Sequence, residues 1–208
     1  MLPFKQFLIE VTGTSIGFFP GAFKPPHKGH FDTAKQAATD NDIAVVLISG
    51  SDRDGITTAD SYEIWNMYKE YLPKNVYIHT ITGSPVTAIY QIVDILNNGQ
   101  FSPTPKVTNP LPDADKIAKM LQGSPAPYTI NLYASQEDLV RFNAFTGPNK
   151  QIYVGKNVSK IGHGNISRLA SATQAREALK NKEEAKFFTF LPDIAIQGKQ
   201  EIYRKLVK

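Results

Sequence analysis

Residues 14–30 read TSIGFFPGAFKPPHKGH and contain a strand, a turn and the start of a helix. The apolar segment 14–20 predicts the strand, and the glycines and prolines of 21–26 predict the turn. We expect the helix to run from about Gly29 to Thr39. The next run, IAVVLIS at residues 43–49, is continuously apolar and β-branched, as in a strand buried on both faces. The chain therefore opens with a β-α-β unit, which favours a parallel sheet.

The rest of the chain continues this alternation of helices and strands. Its patterns predict further strands at residues 76–82, 128–134 and 151–155. They predict helices near residues 60–71, 84–97, 113–121, 136–145, 171–181 and 198–207. We therefore expect an α/β fold, with a Rossmann-like parallel sheet, helices on both faces and a small helical C-terminal part. We interpret residues 1–208 as a single domain, with 1–155 as the core and 156–208 as the C-terminal part.

Length and composition exclude several classes of protein. The chain has 208 residues and no cysteine, which excludes disulfides, a thiol nucleophile and thiolate metal sites. No apolar run reaches the roughly 20 residues that cross a bilayer. The net charge of +4 is a weak bias, unlike the basic stripe of a dedicated nucleic-acid-binding protein. We expect a soluble, cytoplasmic protein with no membrane or nucleic-acid partner, and a homo-oligomer is compatible with the sequence.

The turn after the first predicted strand carries residues suited to phosphate chemistry. His27 and His30 lie three residues apart across the predicted helix start, so both imidazoles can point to one place. Gly29 lets a ligand approach the backbone where the helix N-terminus favours an anion, and Lys24 and Lys28 add charge. The alternative is a polar loop with incidental histidines. Two of the four histidines lie together in this turn, which favours a phosphate site.

A second predicted helix start has the sequence SATQAR, residues 171–176. Ser171 is followed three residues later by Gln174, which is the spacing of a capping box. Taken alone, the segment is explained at least as well by an ordinary helix start.

These two segments resemble the signatures of one superfamily. GAFKPPHKGH resembles the GxFxPxHxGH signature of the HIGH-motif nucleotidyltransferases, and its form is closest to the archaeal-type nicotinamide-mononucleotide adenylyltransferases. SATQAR resembles their SSTxIR signature, with Ala172 and Ala175 as departures. Two such motifs in this order, about 140 residues apart and each at a helix start, are more specific than either alone. Between them the resemblance is diffuse.

The resemblance implies that AMP is transferred from ATP to a phosphorylated acceptor, with release of pyrophosphate. It places His27 and His30 at the α- and β-phosphates and Lys24 at the transition state or the acceptor phosphate. It places Ser171, Thr173 and Arg176 at the β- and γ-phosphates. His27, His30, Lys24 and Arg176 are thus the predicted catalytic residues. The predicted nucleotide-binding residues are Gly21, Ala22, Phe23, Gly29, Gly50, Ser51, Asp52, Ser171 and Thr173.

Other segments match the signatures of these enzymes only weakly or in part. Residues 50–52 resemble the GSD turn of these enzymes, but an ordinary turn at a strand end explains them equally well. The segment ITTADSYEIW, residues 56–65, resembles their FTxxER helix opening without the arginine. This departure and the two alanines leave open a nucleotide-binding module without turnover. An RNA-binding protein is disfavoured by the modest charge.

The acceptor and the metal ion follow from the resemblance. We expect ATP as co-substrate and Mg²⁺ held mainly by substrate oxygens and water, with no metal site in the protein itself. The acceptor favoured is nicotinamide mononucleotide, giving NAD, and phosphopantetheine is its nearest rival. Tyr62 and Trp65 are candidates for a pyridine pocket, although a buried helix position is the simpler interpretation of Trp65. The proline-rich segment 99–112 is a candidate groove for pantetheine.

Overall fold

The structure is a computed structural model that describes residues 13–103, 108–145, 153–164, 166 and 171–207. In this part of the chain, a parallel sheet has the strand order β3-β2-β1-β4-β5. The strands are β1 Thr14–Gly21, β2 Ile43–Ser49, β3 Val76–Ile81, β4 Tyr128–Leu132 and β5 Val158–His163. β1 pairs with β2 on one side and with β4 on the other, so the strand order reverses beside β1. Parallel sheets bind ligands at the carboxyl ends of the strands, at the place where the strand order reverses.

Helices cover both faces of the sheet. The first face carries α1 Lys28–Asp40, α2 Thr58–Lys69, α6 Ala172–Lys180, α7 Glu184–Phe188 and α8 Ile196–Leu206. The second face carries α3 Pro85–Asn98, α4 Pro112–Leu121 and a 3-10 turn, Val140–Phe145, that continues the single-turn helix α5 Gln136–Leu139. None of the helices in the described residues has the length and apolar character to cross a bilayer.

The position of β2 inside the sheet, between β3 and β1, explains the continuous apolar run in the sequence. Val46 and Ile48 pack into the hydrophobic cluster on the first face, and Val45 and Leu47 pack into the cluster on the second. A strand covered on both faces needs apolar residues at every position, not at alternate ones. The predicted α/β fold, with a parallel sheet and helices on both faces, is confirmed.

The last strand lies elsewhere than predicted. The strand expected at 151–155 is wrong, since residues 153–157 form turns and bends and β5 begins at Val158. Residues 151 and 152 lie outside the described residues. The β-branched and aromatic residues of QIYVG favoured the wrong segment, whereas β5 contains exposed Ser159 and Lys160 but pairs with β4. Gly162 and His163 form the end of β5 and pair with Asn131 and Leu132 of β4.

Two helical segments also differ from the prediction. The helix expected over 136–145 remains α-helical only to Leu139, and the following 3-10 turn is kinked at Phe142, where φ is −106°. Phe142 and Phe145 are both buried in the second cluster, so packing of these rings sets the local backbone. The short helix α7 was not predicted. It is five residues long, and its buried residue is Phe187, so it has too little periodicity to be recognised.

Candidate active site

The loop between β1 and α1, residues 22–27, is held from outside by hydrogen bonds to its carbonyl oxygens. The donors come from α2 and α6, so distant parts of the sequence fix its shape. A further bond ties the start of α1 to the segment after α7. The bonds are Ser61 Oγ to Phe23 O at 2.6 Å, Arg176 Nη1 to Lys24 O at 2.9 Å, Tyr68 Oη to Pro26 O at 3.2 Å, and Lys28 N to Phe190 O at 2.7 Å. With three of its carbonyls paired to α2 and α6, the loop has a defined conformation before any ligand arrives.

Phe23 gives the loop its shape and supports one of the imidazoles. It is 3% exposed and has a φ of 53°, in the left-handed region that few non-glycine residues adopt. Its ring packs edge-on against His30 at 4.9 Å and against Trp65 at 5.4 Å. A Cβ atom at Gly21 would lie 2.6 Å from this ring, so the position requires glycine. Two residues of the predicted nucleotide site thus support His30. Phe23 packs against its ring, and Gly21 leaves space for the ring of Phe23.

The two histidines predicted to bind phosphate are stacked on each other. The ring centroids of His27 and His30 are 3.6 Å apart and the planes differ by 21°. The His27 backbone N–H donates to His30 Nδ1 at 3.3 Å, so a neutral His30 carries its proton on Nε2. His27 is buried, and its Nδ1 has no hydrogen-bond partner among the described residues. Both histidines line the cavity that is described below.

Burial keeps both imidazoles neutral. It lowers the pKa of His27 to about 4, and it lowers the pKa of His30 well below 6.5, with the neighbouring His27 adding to the effect at His30. Both rings are therefore uncharged at pH 7. An anion beside them favours the protonated forms and raises both pKa values, so phosphate binding would be coupled to proton uptake.

The Lys24 side chain points to the adjacent strand and helix. Lys24 is 1% exposed, and its Nζ donates to Ser49 O and to Thr58 Oγ1, both at 3.3 Å. Burial lowers the pKa of Lys24, while the carboxylates of Asp52 and Asp60 act in the opposite direction. Lys24 thus joins the loop to the end of β2 and the start of α2. Its contact with a phosphate stays a prediction.

The second motif opens a helix, but without the expected cap. Ser171 occupies the N-cap position of α6, yet its hydroxyl makes no capping hydrogen bond, so the capping box is wrong. Instead, Ser171 and Gln174 line the same cavity as the histidines. An N-cap hydroxyl without a backbone partner is available to a ligand, which is consistent with a phosphate role.

Arg176 joins the two motifs. Its side chain is 12% exposed, and each of its three nitrogens has a partner. Nη1 donates to Lys24 O at 2.9 Å, and Nη2 donates to Thr173 Oγ1 at 3.2 Å. Nε lies 2.7 Å from the carboxylate of Asp54, in the turn after β2. A guanidinium has five N–H donors, so two remain for a ligand.

A cavity of about 720 Å³ lies where the strand order reverses, between β1 and β4. This volume is within the range of small-molecule sites. Both motifs lie on its wall, although they are separated by most of the chain. The predicted residues on the wall are Gly21, Ala22, Phe23, Lys24, His27, Gly29, His30, Ser171, Thr173 and Arg176.

The predicted turn at residues 50–52 is not part of the described wall, by which we mean the described residues that line this cavity. Asp52 Oδ1 accepts from the Thr58 N–H at 3.0 Å and so stabilises the start of α2. A Cβ atom at Gly50 would lie 2.8 Å from Ile81 O, so glycine allows the ends of β2 and β3 to approach. These contacts support the interpretation of residues 50–52 as a strand-end turn. Their contact with a nucleotide stays a prediction.

The aromatic pocket expected for a pyridine ring is not at Trp65. Trp65 is fully buried against Phe23 and Tyr68, so a bound base cannot reach it. The simpler interpretation, a buried helix aromatic, is confirmed. Tyr62 is 38% exposed and lies outside the described wall of the cavity.

The described parts of the proline-rich segment 99–112 follow α3. Backbone N–H groups of Ser102 and Leu111 donate to Asp94 and Gln91 of that helix, both at 2.7 Å. These parts do not contribute to the described cavity wall, and residues 104–107 lie outside the described residues. The groove expected here for pantetheine has no support from the described residues.

Several wall residues were missed in the sequence. Ser135 and Asp138 follow β4, and Ser135 Oγ donates to Asp138 Oδ2 at 2.7 Å. A signal was available, because the strand paired with β1 at the reversal must end beside the same cavity. Thr33 and Arg53 also lie on the wall. Arg53 directly follows the GSD turn, but nothing in its sequence context distinguishes it from an ordinary surface arginine.

Among the comparisons with known proteins, the solved structures support the fold. No protein-family model matches the chain, and no curated protein matches it. A nicotinate-nucleotide adenylyltransferase structure from Vibrio parahaemolyticus is similar, with a TM-score of 0.54 and 14% identity over 94% of this chain and 99% of that one. The nicotinic acid mononucleotide adenylyltransferase of Plasmodium falciparum, complexed with APC, has a TM-score of 0.51 and 13% identity over 92% of this chain and 98% of that one.

A third similar structure is a bifunctional enzyme. The NMN adenylyltransferase/ADP-ribose pyrophosphatase of Francisella tularensis, in complex with AMP and a manganese ion, has a TM-score of 0.55 and 15% identity. The match covers 93% of this chain and 52% of that one. The chain therefore has the fold of the nicotinate- and nicotinamide-nucleotide adenylyltransferases, as its two motifs predicted.

Proposed function

We propose that this protein is an adenylyltransferase that moves AMP from ATP to a pyridine mononucleotide and releases pyrophosphate. One observation carries the proposal. The stacked pair His27 and His30, at the N-terminus of α1, shares a cavity with Arg176 and the N-terminus of α6. Two helix N-termini, two imidazoles and a guanidinium suit a ligand with several phosphates.

The reaction needs no nucleophile from the protein. An oxygen of the acceptor phosphate forms a bond to the α-phosphorus of ATP. The bond from that phosphorus to the bridging oxygen breaks, and pyrophosphate leaves with the electron pair. The protein must align two anions that repel each other and stabilise charge on the pentavalent centre. Fixed hydrogen-bond donors are the groups that this task requires.

The described residues divide this task. His27 and His30 act on the α- and β-phosphates, as donors when neutral and as cations once a phosphate has raised their pKa values. Arg176 binds the β- and γ-phosphates through its two remaining N–H groups. Ser171 and Thr173 contribute hydroxyls at the start of α6. Lys24 places its charge at the carboxyl end of β2, where we assign the acceptor phosphate.

ATP enters this scheme as its magnesium complex. Within the described residues, no group of three His, Asp or Glu side chains is arranged to hold a metal ion. Asp138 is the one carboxylate on the described wall of the cavity. We propose that the phosphate oxygens and water carry the cation.

We propose nicotinamide mononucleotide as the acceptor, because the motif GAFKPPHKGH resembles that of the nicotinamide-mononucleotide adenylyltransferases. Nicotinate mononucleotide is the second candidate, and the exposed Arg53 on the cavity wall favours it because a guanidinium can pair with its carboxylate. Phosphopantetheine and a module without turnover remain as alternatives.

A panel assay tests these assignments. Pyrophosphate release is measured with ATP, Mg²⁺ and each of nicotinamide mononucleotide, nicotinate mononucleotide and phosphopantetheine. We expect turnover with the nicotinamide compound to be the fastest. Turnover of another acceptor would change the substrate and leave the chemistry in place. No pyrophosphate release with any acceptor, but tight binding of MgATP, would favour the module without turnover.

A further inference from the structure

The turn after β2 places one carboxylate beside two arginines of the cavity wall. Asp54 Oδ2 lies 2.7 Å from Arg176 Nε and 3.9 Å from Arg53 Nε. The turn is closed by backbone hydrogen bonds between Arg53 and Ile56 in both directions. Asp54 itself has a φ of 51°, and its side chain is 62% exposed. One carboxylate thus acts on both guanidinium groups of the described wall.

Asp54 approaches Arg176 from the side away from the phosphate cavity. It is absent from the described wall of that cavity, but it lines a neighbouring cavity of about 470 Å³ together with Arg176. Arg176 and Thr173 line both cavities. The guanidinium of Arg176 is also held by Lys24 O and Thr173 Oγ1, so Asp54 is one of three groups that hold it. What Asp54 adds is a negative charge behind the cations.

We propose that Asp54 limits the affinity of the site for polyphosphate and so promotes the release of pyrophosphate. This inference rests on the proposed function, which supplies the identity of the ligand. A carboxylate within hydrogen-bonding distance of Arg176 and close to Arg53 reduces the field that both present to the cavity. Tight binding of a product slows its departure, and product release limits many enzymes. Asp54 weakens binding of the triphosphate and of pyrophosphate together.

The test uses Asp54→Asn, which keeps an oxygen acceptor for Arg176 Nε and removes the charge. Binding of magnesium pyrophosphate is measured by calorimetry, with the fold checked by circular dichroism. We expect the variant to bind roughly fivefold more tightly than the wild type at low salt. The difference should shrink at high ionic strength, because screening acts on a charge effect and not on packing. In turnover, pyrophosphate should become a stronger product inhibitor.

Asp115→Asn is the matched control. Asp115 pairs with Lys119 within α4, on the other face of the sheet, so this variant makes the same change in net charge away from the cavity. Its affinity for pyrophosphate should equal that of the wild type.

The other outcomes distinguish a failure of the inference from a failure of the proposed function. Weaker binding by Asp54→Asn would mean that the carboxylate positions Arg176. Unchanged binding would mean that the pair is an ordinary surface ion pair. Pyrophosphate binding without AMP transfer by the wild type would overturn the proposed function and leave the role of Asp54 standing. No binding by either protein would overturn both.

Discussion

The two walls of the phosphate cavity are held in different ways. The loop wall, residues 22–30, has buried side chains at Phe23, Lys24 and His27, and its carbonyls are paired with distant donors. The helix wall, residues 171–176, has exposed Thr173 and Gln174, and it is held by the contacts of Arg176 and by Ala175, which is buried in the hydrophobic cluster on the first face.

This difference separates two tasks. The loop wall is a fixed arrangement of donors, which suits stabilisation of charge at the reacting phosphorus. The helix wall acts through the guanidinium of Arg176, whose charge is partly offset by Asp54. This arrangement suits binding of pyrophosphate that is weak enough for release. Variants of the loop wall should therefore change the rate or the stability, and variants of the helix wall should change the affinity for ATP.

The largest effect is expected for His30→Ala. Loss of a preorganised donor at the reacting phosphate should lower kcat by about 100-fold or more, since such donors contribute about 3 kcal/mol. Steady-state assays of pyrophosphate release measure this, with folding checked by circular dichroism. His163→Ala is the control, because His163 is exposed on β5 and outside the described wall. Wild-type turnover in a folded His30→Ala protein would remove His30 from the catalytic residues.

A second effect on the loop wall is the pH dependence of stability through His27. Its pKa is about 4 in the folded protein and 6.5 ordinarily, so the unfolded chain binds more protons between these values. The stability that His27 contributes is present above pH 6.5 and is lost as the pH falls towards 4. Between pH 6.5 and 4, the wild type should lose about 3 kcal/mol more than His27→Asn. Urea unfolding at a series of pH values measures both, and parallel curves would contradict the burial of a neutral His27.

On the helix wall, Arg176→Ala should weaken MgATP binding by about tenfold, with a much smaller effect on acceptor binding. The physical reason is the loss of charge-assisted hydrogen bonds to the β- and γ-phosphates. Calorimetric titrations with each substrate give the two affinities. Lys180→Ala, at the other end of α6, is a control for the loss of a positive charge on the same helix. Unchanged ATP affinity in Arg176→Ala would reduce SATQAR to an ordinary helix start.

The smallest effect on binding and turnover is expected for Ser61→Ala, which removes one anchor of the loop. Ser61 is buried, and its hydroxyl is bonded to Phe23 O, so the variant leaves a buried carbonyl without this partner. The free energy of unfolding should fall by about 1–2 kcal/mol. ATP affinity should change little, because the anchor lies on the loop wall. Thr39→Ala removes an exposed hydroxyl bond within α1 and serves as the control. A large loss of ATP affinity in Ser61→Ala would show that the two walls are not independent.

The same contrast explains how much of this molecule was predictable. The GAFKPPHKGH segment was sufficient to locate the reversal of strand order beside β1 and to identify both stacked histidines. Its glycines and prolines indicate a turn, and the helix that follows indicates an anion site, so both features are visible in the local sequence. The contacts of Arg176 with Lys24 and Asp54 were not visible, since they join residues far apart in the sequence. The sequence suggested Lys24 as a phosphate ligand, but it could not show that the Nζ of Lys24 donates to Ser49 O and Thr58 Oγ1. β5 was misplaced because its register depends on pairing with β4, and not on its own polar composition.

The central claim is the transfer of an intact adenylyl group at this cavity. The most direct measurement follows ATP, Mg²⁺ and nicotinamide mononucleotide with the protein by ³¹P NMR. The account predicts that dinucleotide and pyrophosphate appear in equal amounts, at rates that fall by about 100-fold or more in His30→Ala. Release of free AMP without a dinucleotide would indicate hydrolysis. If none of nicotinamide mononucleotide, nicotinate mononucleotide and phosphopantetheine is adenylylated, the adenylyl-transfer account of this site is contradicted.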